Sequence, residues 1–409
     1  MTSLRPHVTF AAAILVTGVL SGVVGAAVTL LIHAVQHLAY GYAQGSLLVG
    51  VLGASAHRRL LGPTLGCAAA GLGWWLLRRY CSVPELNDVI REARPLPKLP
   101  LVLDAALQVL AVGSGASLGR EQAPRMLAAA GTDLLIHATS LTPAQRRILL
   151  GAATGAGLAA VYDVPVAGAL FALGIVLRTR QPLAVLVALA ASSIATVTAW
   201  PVSHGAPAFA WPPTPITKES VLVAIAVIPL AVVVGAGFTW LIRRAHPRVP
   251  PTSWTLVPAL GCVGLLTGAA SLWLPQLPGN GKSIVAESLT ATSPLAMLAV
   301  AVVVKPVLTA LFVRAGAVGG LITPALATGT ATGAAVALAV NTMGGHASIP
   351  TAALMGGAAV LGVTQNAPLF AAVFTAELTR PPVEVCALLL LAALGAHTVR
   401  WVVRRRFGS

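Results

Sequence analysis

The chain has 409 residues, of which 57% are hydrophobic and only 9% charged, against about 25% charged in an ordinary soluble domain, so a water-soluble globule is excluded. Backbone in lipid must satisfy its hydrogen bonds internally, as helices or as a closed barrel, and the continuous runs rich in Ala, Leu, Val and Gly lack the alternation of barrel strands. The formal net charge of +15 is not a nucleic-acid signature, because the basic residues cluster between apolar runs, at Arg58-Arg59, Arg78-Arg79, Arg146-Arg147, Arg243-Arg244 and Arg404 to Arg406, as positive-inside loops do.

In chain order, the first apolar run covers residues 8–35. It is too long for a signal-peptide core and lacks a clear cleavage site, so it is read as a retained transmembrane helix. His33 and His37 stand i, i+4, but no third ligand accompanies them, and neither a metal site nor a cofactor is expected. A short run at 63–77 leads through Arg78-Arg79 to Cys81-Ser82-Val83-Pro84-Glu85. Pro suits the first turn of a helix, so residues 81–84 are a candidate half-helix N-terminus. Cys67, Cys262 and Cys386 fall in apolar runs and read as small core residues. No CxxC pair points to zinc or redox chemistry.

The stretch Gly113-Ser-Gly-Ala-Ser-Leu-Gly-Arg-Glu-Gln-Ala-Pro124 stands between an apolar run and a helix start. Its glycines permit tight turns. A helix N-terminus offers free N–H donors and a partial positive charge, a ready anion site. Glu121 lies there, and a carboxylate can occupy such a site itself. An ionised side chain at membrane depth costs about 2.5–3.5 kcal/mol even on lenient scales and is usually functional. The bland alternative is a helix-capping Glu paired with Arg120.

Short runs at 126–138, 147–161 and 165–177 precede a linker marked by Pro201, Pro207, Pro212, Pro213 and Pro215. Beyond it, 220–242 and 383–403 reach the roughly 20 residues of a simple span, whereas 351–362 and 367–378 do not. Short interrupted segments predict half-helices or tilted helices meeting inside the membrane, as in many transporters. Lys305, inside Ala301-Val-Val-Val-Lys-Pro-Val-Leu, is either a snorkelling side chain or a vestibule cation that concentrates anions. The Arg-rich tail predicts a cytoplasmic C-terminus.

A repeat is visible. Gly119-Arg-Glu-Gln-Ala-Pro124 matches Gly319-Gly-Leu-Ile-Thr-Pro324, and Asp163-Val-Pro165 matches Asn366-Ala-Pro368. The plan is one transmembrane domain with a first membrane repeat over 1–205, a Pro-rich linker over 206–218 and a second repeat over 219–409. The residues leave parallel and inverted arrangements open.

These motifs together resemble the CLC family of chloride channels and proton/chloride exchangers. The family's GSGIP, GREGP and GxFxP elements correspond to Cys81-Ser82-Val83-Pro84, Gly119-Arg120-Glu121-Gln122-Ala123-Pro124 and Gly320-Leu321-Ile322-Thr323-Pro324. Its Lys-x-x-x-Thr stretch corresponds to Lys305-Pro-Val-Leu-Thr309, its Asn-Ala-Pro-Leu elements to 163–166 and 366–369, and its Leu-Glu-Met-Thr to Ala376-Glu377-Leu378-Thr379. The resemblance covers residues 10–400. It implies an all-α polytopic fold of two inverted repeats whose half-helices meet at an anion pathway, and a homodimer with one pathway per subunit. It implies that Glu121 is the external gate, and that Cys81, Ser82, Val83, Gly119, Arg120, Leu321, Ile322 and Thr323 hold the anion, with Lys305 in the vestibule.

Three departures bear on mechanism. Cys81 replaces the central serine, and a thiol is a weaker donor than a hydroxyl. Pro382 stands where a tyrosine closes the inner end, and Ile175 where exchangers carry an internal proton-transfer glutamate. The expectation is therefore transport of chloride or a similar small anion across the cell membrane, weakly coupled or uncoupled to protons. The alternative is a proton-coupled chloride or fluoride antiporter. An enzyme is not expected, because the nine His are scattered and acids are few. The expected partners are the anion, the bilayer and a second copy of the chain; no nucleic acid is among them.

Overall fold

The computed structural model describes residues 4–137, 139–212, 214, 218–247 and 250–407. Pro213 and Pro215 of the linker lie outside them. Among the described residues the regular structure is helical, apart from one isolated bridge between Gly119 and Gly320. The helices are α1 (Leu4–Tyr40), α2 (Leu47–Gly53), α3 (Ala56–Tyr80), α4 (Leu86–Arg91), α5 (Lys98–Gly113), α6 (Gln122–Ile136), α7 (Pro143–Tyr162) and α8 (Pro165–Phe171), the last running into a π-helical turn at Ala172–Leu177. There follow α9 (Pro182–Ser203), α10 (Lys218–Ala245), α11 (Leu256–Ser271), α12 (Lys282–Thr290), α13 (Leu295–Arg314), α14 (Ile322–Thr342), α15 (Ile349–Gln365), α16 (Pro368–Thr379) and α17 (Val383–Phe407).

Seven of these, α1, α3, α9, α10, α13, α14 and α17, are long and apolar enough to cross a membrane, so the chain is an all-α multi-span membrane protein. The run at 63–77, expected as a short segment, is instead the middle of the 25-residue α3. The polar start of that helix, with Arg58 and Arg59, hides its length from a reading of apolar runs. Large apolar side chains such as Val233 and Trp273 are exposed, as a lipid-facing surface allows. Cys67 is buried as expected, but Cys262 is exposed on α11 and Cys386 only half-buried. An apolar run in lipid has an outward face as well as a packed one, so Cys262 is not a core residue.

The chain forms two compact units. One combines the chain up to His33 with Leu76–Val109 and Arg120–Ala208; the other combines Ala34–Trp75, Leu110–Gly119 and the chain from Phe209 onward. In the first, α7 packs on α6, α8 and α9; in the second, α15 packs on α10, α14, α16 and α17.

Local chemistry sets the helix ends in both. In the first unit Thr142 and Gln145 form a capping box at the start of α7, which ends at Asp163 in the left-handed region (φ 58°). Pro165 then starts α8. In the second, Ser348 caps α15, which ends at Asn366 (φ 53°), and Pro368 starts α16. Asp and Asn tolerate this conformation better than bulkier residues, and Pro is favoured at the first helical position. The Asp-x-Pro and Asn-x-Pro motifs are thus sharp corners between helices. Several buried hydroxyls donate to carbonyls four residues back, as Thr196 does to Ser192 (2.9 Å) and Thr375 to Ala371 (2.8 Å).

Candidate anion site

In the first unit, α6 begins at Gln122 with Glu121 in the N-cap position, and the Glu121 side chain makes no capping hydrogen bond to its own helix. The first helical N–H groups are therefore not consumed by that carboxylate. Pro124, in the first turn, has no N–H to satisfy. Glu121 is completely buried. Its Oε2 accepts a hydrogen bond of 3.1 Å from the Tyr162 hydroxyl, at the last residue of α7. Arg120 is drawn to the same place: it donates to the Val161 carbonyl (3.1 Å), and its guanidinium lies 4.8 Å from the centre of the Tyr162 ring. Both charged residues of the motif are thus anchored on the end of α7.

That anchor depends on close approach of α6 and α7. A Cβ at Gly157 would lie 2.7 Å from the Pro124 carbonyl oxygen, so only glycine lets the first turn of α6 sit where it does. Beyond the corner at Asp163, the Trp200 indole donates to the Asp163 carboxylate (3.0 Å), tying α7 to α9.

One turn along α6, Arg125 is buried. It donates to Gln122 Oε1 (3.0 Å) and to Asn87 Oδ1 of α4 (3.1 Å) and lies 4.3 Å from the centre of the Phe171 ring. Neither Tyr162 nor Arg125 was a candidate from sequence. A tyrosine hydroxyl in an apolar run needs a buried partner, and an Arg in an apolar helix needs a reason; those were the available signals.

Cys81, Ser82 and Val83 form an extended link between α3 and α4. Cys81 N–H donates to the Leu77 carbonyl (2.8 Å), Ser82 is exposed, and Cys81 and Val83 are half-buried. The helix after them starts at Leu86 with Glu85 as its N-cap, later than Pro84 implied. Ile175 lies in the π-helical turn, where its carbonyl and that of Val176 accept from Arg91 (2.6 and 2.8 Å). The Arg91 guanidinium therefore adjoins Ile175. Pro382 is exposed, and its carbonyl accepts from Val385 and Cys386 at the start of α17.

In the second unit the two Gly-rich turns found in the sequence are hydrogen-bonded to each other. Gly119 N–H donates to the Gly320 carbonyl (2.6 Å) and Gly320 N–H to that of Gly119 (3.0 Å). Leu321 is the N-cap of α14, and Ile322 and Thr323 are its buried first residues. Beside this bridge, Ser117 and Thr309 share a hydroxyl hydrogen bond of 3.1 Å.

Lys305 lies mid-way along α13 and is completely buried, so it neither snorkels nor lines an open surface. Its Nζ donates to the carbonyls of Leu277 (3.0 Å) and Gly279 (2.5 Å). Gly279 N–H in turn donates to Gly115 (3.0 Å). The loop closes through Gly281, whose φ of +96° favours glycine and where a Cβ would also meet the Ala327 side chain at 2.6 Å. Lys305 thus braces the loop ahead of α12.

Among the described residues, no three His, Cys, Asp or Glu side chains gather as metal ligands.

Comparison with known proteins gives a consistent result. A ClcB-like protein of Ralstonia nicotianae is 30% identical over 360 residues, covering 83% of this chain and 82% of that protein. The voltage-gated ClC-type chloride channel ClcB of Shigella flexneri is 29% identical, covering 82% of each. Among solved structures, a slow cyanobacterial Cl−/H+ antiporter superposes with a TM-score of 0.78 at 20% identity, over 97% of this chain and 95% of that one. A CLC-type fluoride/proton antiporter does so with a TM-score of 0.75 at 21% identity, over 96% and 95%. At those identities the structures speak to the fold alone. The voltage gated chloride channel family model matches residues 66–400, and the chain belongs to that family, the CLC channels and transporters, which are not enzymes.

Proposed function

We propose that this protein transports chloride or a similar small inorganic anion across the cell membrane, gated by Glu121, with weak or no coupling to protons. The observation that carries the reading is the state of Glu121: a fully buried carboxylate at the start of α6, held by Tyr162 instead of capping its own helix. An ionised carboxylate there repels an anion from the positive end of the helix, whose N–H donors it leaves open; once protonated, it no longer does so.

In the first unit, Arg120 with the link Cys81, Ser82 and Val83 are the proposed anion contacts. In the second, they are Gly119 and the turn Leu321, Ile322 and Thr323, with Lys305 as the vestibule residue. The two membrane repeats, 1–205 and 219–409, are inverted, the protein is a homodimer with one pathway per subunit, and both termini are cytoplasmic.

The weak coupling rests on Ile175, which cannot carry a proton, and on the Arg91 guanidinium bonded to its carbonyl. A second reading is a proton-coupled chloride or fluoride antiporter, with the buried Glu121 carboxylate as its proton carrier. A chloride gradient imposed on proteoliposomes, with a pH electrode outside, separates the two. Chloride flux without matched uphill proton movement supports the first reading. Stoichiometric proton movement, abolished in Glu121→Ala, establishes the second.

A further inference from the structure

Arg125 is a buried cation that the reading above does not use. It follows Glu121 by four residues, so the two share one face of the α6 start. Every hydrogen bond it makes goes to a neutral group, the side-chain oxygens of Gln122 and Asn87, and its flat face lies on Phe171. No carboxylate lies within ion-pairing distance of it among the described residues. Its Nε is buried and has no hydrogen-bond partner. The acids whose charge reaches it are Glu121, more strongly, and Glu85.

The other charged and titratable groups nearby do not answer that charge. Arg120 is a second cation with a buried Nε lacking a partner, and Tyr162 is neutral when it donates to Glu121. The remaining buried acids of this unit are engaged elsewhere: Asp104 accepts from Gln108, Asp163 from Trp200, and Asp133 pairs with Lys98 and Arg146. The buried Arg125 and the half-buried Arg120 therefore have Glu121 as the one buried carboxylate near them, with the exposed Glu85 acting more weakly on Arg125. An unanswered buried charge is unfavourable, and the deficit deepens whenever Glu121 takes up a proton.

We infer that Arg125 is a further anion-attracting residue of the transport site, with ionised Glu121 as its internal counter-ion and the transported anion as that counter-ion's replacement. The inference rests on the proposed function and deepens it. A merely structural Arg125, tying α4 to α6 through Asn87, predicts no change in anion affinity when the helices stay in place. A charge-based role predicts such a change. It also predicts that losing the cation makes Glu121 easier to protonate, because a nearby positive charge favours the ionised carboxylate.

The test compares Arg125→Met, Arg125→Gln and Arg125→Lys in proteoliposomes, measuring initial chloride efflux against chloride concentration at acid pH, and efflux against pH. One charge about a helical turn away corresponds to about a tenfold effect or more. The neutral variants should raise the half-saturating chloride concentration about tenfold while keeping the maximal rate. They should also move the midpoint of acid activation up by about one pH unit, and Arg125→Lys should stay within about twofold of wild type. Neutral variants with wild-type half-saturation and midpoint would overturn the inference, as would an Arg125→Lys defect equal to that of Arg125→Met. No anion flux in the wild-type protein would sink the proposed function itself. A Glu121→Gln variant with wild-type pH dependence would remove the gate reading while leaving the half-saturation comparison as the test of Arg125.

Discussion

Tyr162 holds the buried Glu121 carboxylate through its hydroxyl. A hydrogen bond to an ionised group is worth about 1.5–3 kcal/mol, so Tyr162→Phe should release the carboxylate and let it protonate more readily. Efflux should then begin to rise at higher pH than in wild type, by about one to two units. A pH profile of chloride efflux identical to wild type would show that the hydroxyl does not hold the gate. Lys305 has a different role: Lys305→Met would strip the Leu277 and Gly279 carbonyls of their donor, at about 1–3 kcal/mol each. The thermal unfolding temperature in detergent should fall, and an unchanged temperature would contradict the brace. At this scale Glu121 was legible in the sequence because an acid in an apolar, glycine-punctuated stretch has few bland explanations. Tyr162 and Arg125 were not, because their importance depends on which helices touch: α7 supplies the partner of Glu121, and α4 a partner of Arg125.

At the scale of elements, the helix ends carry the design. The Gly-to-Pro frames at 119–124 and 319–324 and the Asp-x-Pro and Asn-x-Pro corners were visible as sequence repeats, because Gly, Pro, Asp and Asn each impose a local backbone preference. Helix lengths were less visible: α3 gathers Arg58, Arg59 and Pro63 into one span, since a helix continues through polar residues that a lipid-based reading treats as its end. The direct pairing of Gly119 with Gly320 was out of reach of the sequence, being a contact between segments two hundred residues apart. Close packing of α6 and α7 makes a sharp prediction. Gly157→Ala places a methyl group 2.7 Å from the Pro124 carbonyl oxygen, so the first turn of α6 must shift, and with it Glu121. Such overpacking typically costs about 1–3 kcal/mol. Chloride efflux should fall several-fold in protein that still purifies as a single species; wild-type efflux would show that the start of α6 tolerates displacement.

For the whole molecule, composition alone placed the chain in the membrane. The clustering of Arg at the ends of α3, α10 and α17 accounts for much of the positive charge without invoking a polyanion, since cations favour helix C-termini and positive-inside loops. The short motifs then carried the family, because they prescribe backbone turns that few other arrangements need. Anion transport gated by Glu121 is most directly tested by chloride efflux from proteoliposomes holding the wild-type protein or Glu121→Gln, measured from neutral to acid pH. Wild-type efflux should be slow at neutral pH and rise on acidification, and Glu121→Gln efflux should be fast and flat across the range. Efflux from Glu121→Gln that follows the wild-type pH dependence would contradict the gate.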